Sequence, residues 1–368
     1  MKFIIDKKNL IKSLEDVYKA IDSNNIYVQL RNFFICVSDN EIIIKGSNGY
    51  FSVESKIPKN KIFSIESIGN FLIPASLFLN IIKKCDGNIL CSIKNNLLII
   101  QNEKDIYEIN LLEENEYPAI DFSLYGEKII VDAKKLKNAI DNVIFATSQT
   151  NEEIILTGVN LKYENQKFYI SATDGYRLAQ EIIEVKNEQN IIFDVTVANK
   201  NIKNFIPSTI DGDVTLYINE HKINLTKDYT NFQSKIIEAP YKDLSNIFNM
   251  EYSKKLEINK LILNNSINKA MFASGFDSSY NKLNFLINNE KIEITTNDKI
   301  GRSNVVISSE HFKYEGDEIL ITLNYKYLKE AINVFDDKIY IHLSNAQKPI
   351  KISDIKNNNN QIISPMIS

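Results

Sequence analysis

Short runs of alternating apolar and polar residues alternate along this chain with longer stretches whose apolar residues recur every three or four positions. The opening shows both. Lys2-Phe3-Ile4-Ile5-Asp6 reads as a strand, and Leu10, Leu14, Val17 and Ala20 then mark one face of a helix, with Asp6 placed to cap it. The same succession returns after 126 residues as Lys128-Ile129-Ile130-Val131-Asp132 with Leu136, Ile140, Val143 and Ala146. It returns after 253 residues as Leu256, Ile258 and Asn259 with Leu263, Ile267, Ala270 and Ala273. Leu30, Leu156 and Leu283 keep these offsets, each inside an expected strand. Asn48-Gly49-Tyr50 and Asp174-Gly175-Tyr176 stand between alternating runs and predict hairpin turns, while the third copy drifts to Thr296-Asn297-Asp298-Lys299. A second helix in each copy starts near Pro74, Ala198 and Asn324, ahead of Phe78, Ile202 and Leu328.

Three repeats follow, at 1–123, 124–249 and 250–368. Their joints lie near Tyr117-Pro118-Ala119-Ile120-Asp121 and Pro240-Tyr241-Lys242-Asp243. Each copy is expected to hold two helices and roughly eight short strands, an α+β domain with antiparallel sheets. A chain of 368 residues that is 44% hydrophobic and 24% charged can bury two or three such cores.

Charge adds a second pattern. The chain carries a net −4, yet each of the six expected helices (7–20, 74–85, 133–147, 198–206, 259–273 and 324–335) is net positive. Only Arg31, Arg177 and Arg302 are arginines among 43 basic residues. Lysines meet phosphate as point charges rather than reading bases through a bidentate fork. One reading is a set of helices that faces a polyanion and holds duplex backbone weakly, without sequence preference. The other is that lysines merely keep exposed helix faces in water.

Little in the chain points to catalysis. His221, His311 and His342 are scattered, and no phosphate-cradling, dinucleotide-binding or zinc-peptidase motif occurs. Asp132, Asp141, Glu152 and Glu153 read as helix caps and solvated surface rather than an acid–base pair. Cys36, Cys85 and Cys91 are odd in number and lack metal-ligand spacing, as expected for free thiols in a reducing compartment. No catalytic residue, metal site or cofactor is expected. The N-terminus lacks a signal-peptide apolar stretch, and no apolar run reaches the roughly 18 residues that span a membrane. A soluble cytoplasmic protein without membrane partners is the expectation.

The stretch Ser171-Ala172-Thr173-Asp174-Gly175-Tyr176-Arg177-Leu178-Ala179 closely resembles the Ala-Thr-Asp-Gly-His-Arg-Leu-Ala segment of the bacterial DNA polymerase III beta subunits, the sliding clamps. Met1-Lys2-Phe3, Leu156-Thr157-Gly158-Val159, the chain length and the triplication also match that family. The resemblance implies a clamp fold in which two subunits join head to tail into a ring around duplex DNA, a processivity factor without chemistry of its own. It implies as partners a second copy, duplex DNA, the polymerase alpha subunit, the clamp loader, and other polymerases and repair proteins that carry short clamp-binding peptides. A peptide-binding scaffold that never encircles DNA is the alternative, and a carboxylate enzyme comes third.

Carried over by position, the family's peptide pocket would comprise Leu156, Thr173, Gly175, Tyr176, Arg177, Leu178, Ile247, Tyr280, Asn324, Tyr327, Pro349, Ile362, Ile363, Pro365 and Met366. Arg177 could instead be a structural ion-pair residue. DNA-facing candidates are Lys12, Lys134, Lys137, Lys200, Lys203, Lys260 and Lys326, any of which could simply be solvated. Tyr107 and Ile109 on one edge and Phe272 on the other are candidates for the dimer interface, with core packing the alternative for Phe272. Departures from the family lie at the pocket rim. Lys242 and Asn246 replace a common proline and arginine, Glu153 replaces an arginine, and the chain ends Ser364-Pro365-Met366-Ile367-Ser368 without the family's usual Arg-Leu. They put the exact peptide preference in doubt.

Overall fold

A computed structural model of the chain describes residues 1–113, 117–150, 152–187, 191–272, 281–297 and 301–366. Four sheets carry the fold, and every strand pairing between them is antiparallel among the described residues. Residues group into two compact units. One comprises Met1–Lys137, Asn187–Ile191 and Lys200–Glu238, and the other Asn138–Lys186, Ile192–Asn199 and Ala239–Ser368.

The first unit holds a five-stranded sheet ordered Ile62–Ser67, Lys2–Asp6, Asn88–Lys94, Leu97–Asn102 and Asp105–Asn110. Its eight-stranded sheet runs Glu127–Asp132, Asp213–Ile218, Lys222–Lys227, Thr230–Lys235, Phe51–Pro58, Glu41–Ser47, Asn32–Val37 and Gly69–Pro74. The second unit repeats the device. Its nine-stranded sheet runs Phe193–Ala198, Gly158–Glu164, Lys167–Thr173, Arg177–Glu184, Asn359–Ile363, Ile350–Ser353, Lys338–Leu343, Lys254–Asn259 and Phe312–Glu315. Its four-stranded sheet contains Arg302–Ser308, Lys291–Asn297, Lys282–Ile287 and Ile319–Asn324.

Two sheets therefore pass from one repeat into the next. Phe51–Pro58 pairs with Thr230–Lys235, and Arg177–Glu184 pairs with Asn359–Ile363. Each pairing covers strand edges that would otherwise present unmet N–H and C=O groups. The middle repeat gives four strands to each fused sheet, so the compact units cut through it.

Four helices begin where a side chain caps them, whereas Ala75–Lys84 starts after Pro74 without such a bond among the described residues. Asp6, Asp132, Asn259 and Asn324 accept main-chain N–H bonds from Lys8, Lys135, Leu261 and Lys326 at 2.8–2.9 Å. Helix Lys7–Tyr18 buries Leu10, Leu14 and Val17, and each such burial contributes about 1.5–3 kcal/mol. Phe78, Ile202 and Leu328 are buried on the second helices, Ala75–Lys84, Asn199–Phe205 and Tyr325–Asn333. The first residue of two equivalent helices also ties down the neighbouring helix end. Lys7 Nζ donates to the Lys83 carbonyl at 2.8 Å, and Lys260 Nζ donates to the Asn333 carbonyl at 2.9 Å and to that of Phe335. A cation is well placed against C-terminal carbonyls.

Three expectations need correction. The helix expected over 133–147 stops at Asp141, and a separate 3-10 turn, Ile144–Ala146, follows. Asp141-Asn142-Val143 is a run of weak helix formers. Leu30 and Leu156 lie in 3-10 turns, Val28–Arg31 and Ile154–Thr157, and only Leu283 lies in a strand. A single buried leucine carries no period, so the two conformations look alike in sequence. A short helix, Ser245–Phe248, occupies the region of the second joint, where only a linker was expected. Ala273, Asp298 and Lys299 lie outside the described residues.

Candidate functional site

The hairpin between Lys167–Thr173 and Arg177–Glu184 is built by its own sequence. Gly175 takes φ +90°, which a side chain would strain. The Asp174 carboxylate accepts the N–H groups of Tyr176 and Arg177, both at 3.0 Å. Thr173 Oγ1 accepts from Gly175 N at 3.0 Å and donates to the Arg177 carbonyl at 2.6 Å.

Arg177 is the hub. Its side chain is only 9% exposed. Nε lies 3.0 Å from Asp174 Oδ2, one terminal nitrogen pairs with Glu330, and the other donates to the Phe145 carbonyl at 2.6 Å. The guanidinium also lies over the Tyr327 ring at 4.4 Å and the Phe145 ring at 5.2 Å. A lysine could not supply this planar fork. Arg177 is thus the structural ion-pair residue allowed for above, and it is also the group that organises the surrounding wall.

The end of the chain runs beside this hairpin. Arg177 faces Ile363 and Leu178 faces Ile362 across the ladder, and Leu178, Ile362 and Ile363 are buried. Ser364 N then donates to the Tyr176 carbonyl at 2.9 Å, and Met366 N donates to the Thr322 carbonyl at 2.8 Å. Pro365 and Met366 are half-buried. Asn324 caps helix Tyr325–Asn333, which sets Tyr327 against the third repeat's core and Glu330 within reach of Arg177. Leu156 is buried, while Ile247 and Pro349 are half-buried. Tyr280 lies outside the described residues. Tyr176 is 67% exposed.

Three members of the Arg177 constellation, Asp174, Glu330 and Phe145, are not among the pocket candidates, and the sequence marks Asp174 only as a turn residue. Glu330 stands three residues after Tyr327 on one helix, so helical spacing could have found it. Phe145 carried no signal, because it belongs to the turn read as helix. The rim departures find each other: Lys242 Nζ and Glu153 Oε2 form an ion pair at 2.7 Å.

Farther along the hairpin's second strand, Glu181 is half-buried. Burial pushes the Glu181 pKa up to about 7, and the Asp354 charge adds to this, against a 3.2 Å hydrogen bond donated by Asn142.

The helix lysines divide by environment. Lys12, Lys134, Lys200, Lys203 and Lys326 are exposed, Lys137 is half-buried, and Lys260 is the carbonyl-bound residue described above. Among the interface candidates, Asp105–Asn110 is an edge strand in which Ile109 is buried and Tyr107 half-buried. Phe272 is 73% exposed at the end of helix Lys260–Met271, which excludes the core-packing alternative. Among the described residues, no group of three or more His, Cys, Asp or Glu side chains is arranged to hold a metal ion. Among these residues, too, no helix is long and apolar enough to cross a membrane.

Comparison with known proteins covers the whole chain. The N-terminal, central and C-terminal domains of the DNA polymerase III beta subunit match residues 1–121, 130–243 and 245–367. The beta sliding clamp of Mycoplasmopsis pulmonis is 30% identical over 378 residues, covering 100% of this chain and 99% of that one. The Bacillus subtilis beta sliding clamp is 28% identical over 96% of this chain and 95% of its own. The crystal structure of the Bacillus subtilis DNA polymerase sliding clamp superposes with a TM-score of 0.93 at 26% identity, over 100% of this chain and 99% of that chain. On these grounds the chain belongs to the beta sliding clamp family, the non-catalytic processivity subunit of DNA polymerase III.

Proposed function

We propose that three clamp domains, 1–123, 124–249 and 250–368, close head to tail with those of a second copy into a ring that encircles duplex DNA. A ring is retained by topology, so weak contacts suffice, and weak contacts let it slide. The observation that supports this reading most is the state of the helix lysines. Lys12, Lys134, Lys200, Lys203 and Lys326 are exposed and have no acidic partner among the described residues. They are available to phosphate, whereas Lys260 is committed to main-chain carbonyls and is the weakest member of the set.

The Arg177 site is the proposed dock for short peptides of the polymerase alpha subunit, the clamp loader, and other polymerases and repair proteins. Tyr176, Pro365 and Met366 offer apolar surface beside a fixed polar frame, as peptide capture requires, and Ile247 is the proposed further contact. Tyr107, Ile109 and Phe272 are the proposed contacts between subunits. The deciding experiment loads the protein on nicked circular DNA and then linearises it. A ring slides off the ends, and its free form has a solution mass near twice the 42.3 kDa of one chain. Retention after linearisation, or a monomer mass, would overturn the ring.

A further inference from the structure

The first unit contains a cavity of about 720 Å³ that the proposed function does not use. That volume lies in the range of sites that take drug-sized ligands or peptide side chains. It sits at the junction of the first and second repeats, and it is built as the Arg177 site is built. Four of its lining residues, Leu30, Ser47, Gly49 and Tyr50, stand 126 positions before Leu156, Thr173, Gly175 and Tyr176.

The main-chain frame repeats as well. Gly49 takes φ +96°, and its N–H donates to Ser47 Oγ at 3.0 Å, as Gly175 does to Thr173. Asn48 accepts the N–H groups of Tyr50 and Phe51 at 2.9 and 2.8 Å, as Asp174 does in the second repeat. Lys235 N donates to the Tyr50 carbonyl at 2.9 Å, matching the bond from Ser364 N to the Tyr176 carbonyl. Tyr50 is 67% exposed, the same value as Tyr176.

The chemistry differs at one point. Phe51 stands where the second repeat has Arg177, and it is buried in the core. The cation comes instead from the opposite strand. Lys235 is exposed, its ammonium lies 5.5 Å from the Tyr50 ring centre, and it has no acidic partner among the described residues. The cavity's carboxylates are already engaged: Asp121 accepts from Lys222 at 3.0 Å, and Glu238 lies 3.2 Å from His221. Ile120 and Ile236 supply apolar wall.

We propose that this cavity is a second docking site, for a short extended peptide of a partner protein that carries an apolar or aromatic anchor and a nearby carboxylate. The anchor enters between Leu30, Ile120 and Ile236, and the carboxylate meets Lys235 beside the Tyr50 ring. The analogy rests on the peptide reading of the Arg177 site, while the Lys235 ammonium beside Tyr50 and the apolar wall are this cavity's own.

The test uses the full-length chain. The probe is a pool of N-acetylated, C-amidated hexapeptides, each containing one benzoylphenylalanine and one aspartate. After irradiation, mass mapping of the adducts locates the site directly. Adducts are expected on the segments that include Leu30, Ile120 and Ile236. Their yield should fall at least ten-fold with Lys235→Glu, and likewise when asparagine replaces aspartate in the probe. Lys235 is exposed, so its variant should fold, and an unchanged melting midpoint checks this. Adducts confined to residues 156–178, 247 and 324–366 would overturn the second site and leave the Arg177 reading standing. Adducts at neither site, or a yield indifferent to Lys235→Glu, would also overturn it. Adducts here alone would support the second site while counting against the Arg177 reading.

Discussion

Glu153 and Lys242 form an ion pair at 2.7 Å, each side chain about half exposed. Exposed pairs of this kind contribute little, so a double-mutant cycle on Glu153→Ala and Lys242→Ala should give a coupling of roughly 0.2–1 kcal/mol. A coupling above about 2 kcal/mol in thermal or denaturant unfolding would show that the rim stores more stability than its exposure allows.

Arg177→Ala should weaken binding of a clamp-binding peptide by about ten- to a hundred-fold, which corresponds to ~1.4–3 kcal/mol. Removing the guanidinium leaves the Asp174 carboxylate with only its main-chain N–H donors, with a stability loss of about 1–3 kcal/mol. Met366→Ala removes apolar surface without that loss, so it isolates the contribution to binding. Calorimetry showing unchanged affinity in both variants, with the dimer mass preserved, would remove these residues from the peptide site.

Glu181 predicts a pH dependence. Its pKa is raised from 4.5 to about 7, so the folded chain holds more protons than the unfolded chain between those values. Stability must then fall as pH rises through that window. Glu181→Gln keeps a hydrogen-bonding side chain and cannot ionise. It should flatten the decline and make the protein more stable than wild type at pH 8. Parallel melting curves for the two proteins from pH 5 to pH 8 would contradict the assignment.

Reversing Lys12, Lys134, Lys200 and Lys203 to Glu should shorten retention on DNA with open ends while leaving the peptide site intact. Each lost phosphate contact should lower the log–log salt slope by about 0.9. Lys260→Glu should behave differently, because its ammonium secures the carbonyls of Asn333 and Phe335. Its main effect should be a lower melting temperature. Equal loss of DNA retention from Lys260→Glu, without any change in melting, would place it with the other lysines.

Much of this architecture was legible because it recurs. Asp6, Asp132 and Asn259 announce three helix starts by the same chemistry, and Gly49 and Gly175 announce two hairpins through a backbone conformation that favours glycine. Local rules of that kind need no knowledge of distant contacts. The conformations of Leu30 and Leu156 were not legible, since burial alone does not separate a 3-10 turn from a strand. Nor was Phe145, whose carbonyl meets Arg177 only after the chain has turned out of a helix at Asp141. The fate of Lys260 was equally hidden, because a lysine that caps a neighbouring helix and a lysine that faces solvent have the same sequence signature.

The ladder from Phe51–Pro58 to Thr230–Lys235 also bears on how the protein is made. A growing chain reaches Phe51 long before its partner strand leaves the ribosome. Until then one edge of that strand stays bare in the crowded cell, open to mismatched neighbours. Expressing the first 123 residues alone should therefore give aggregates rather than a miniature of the protein.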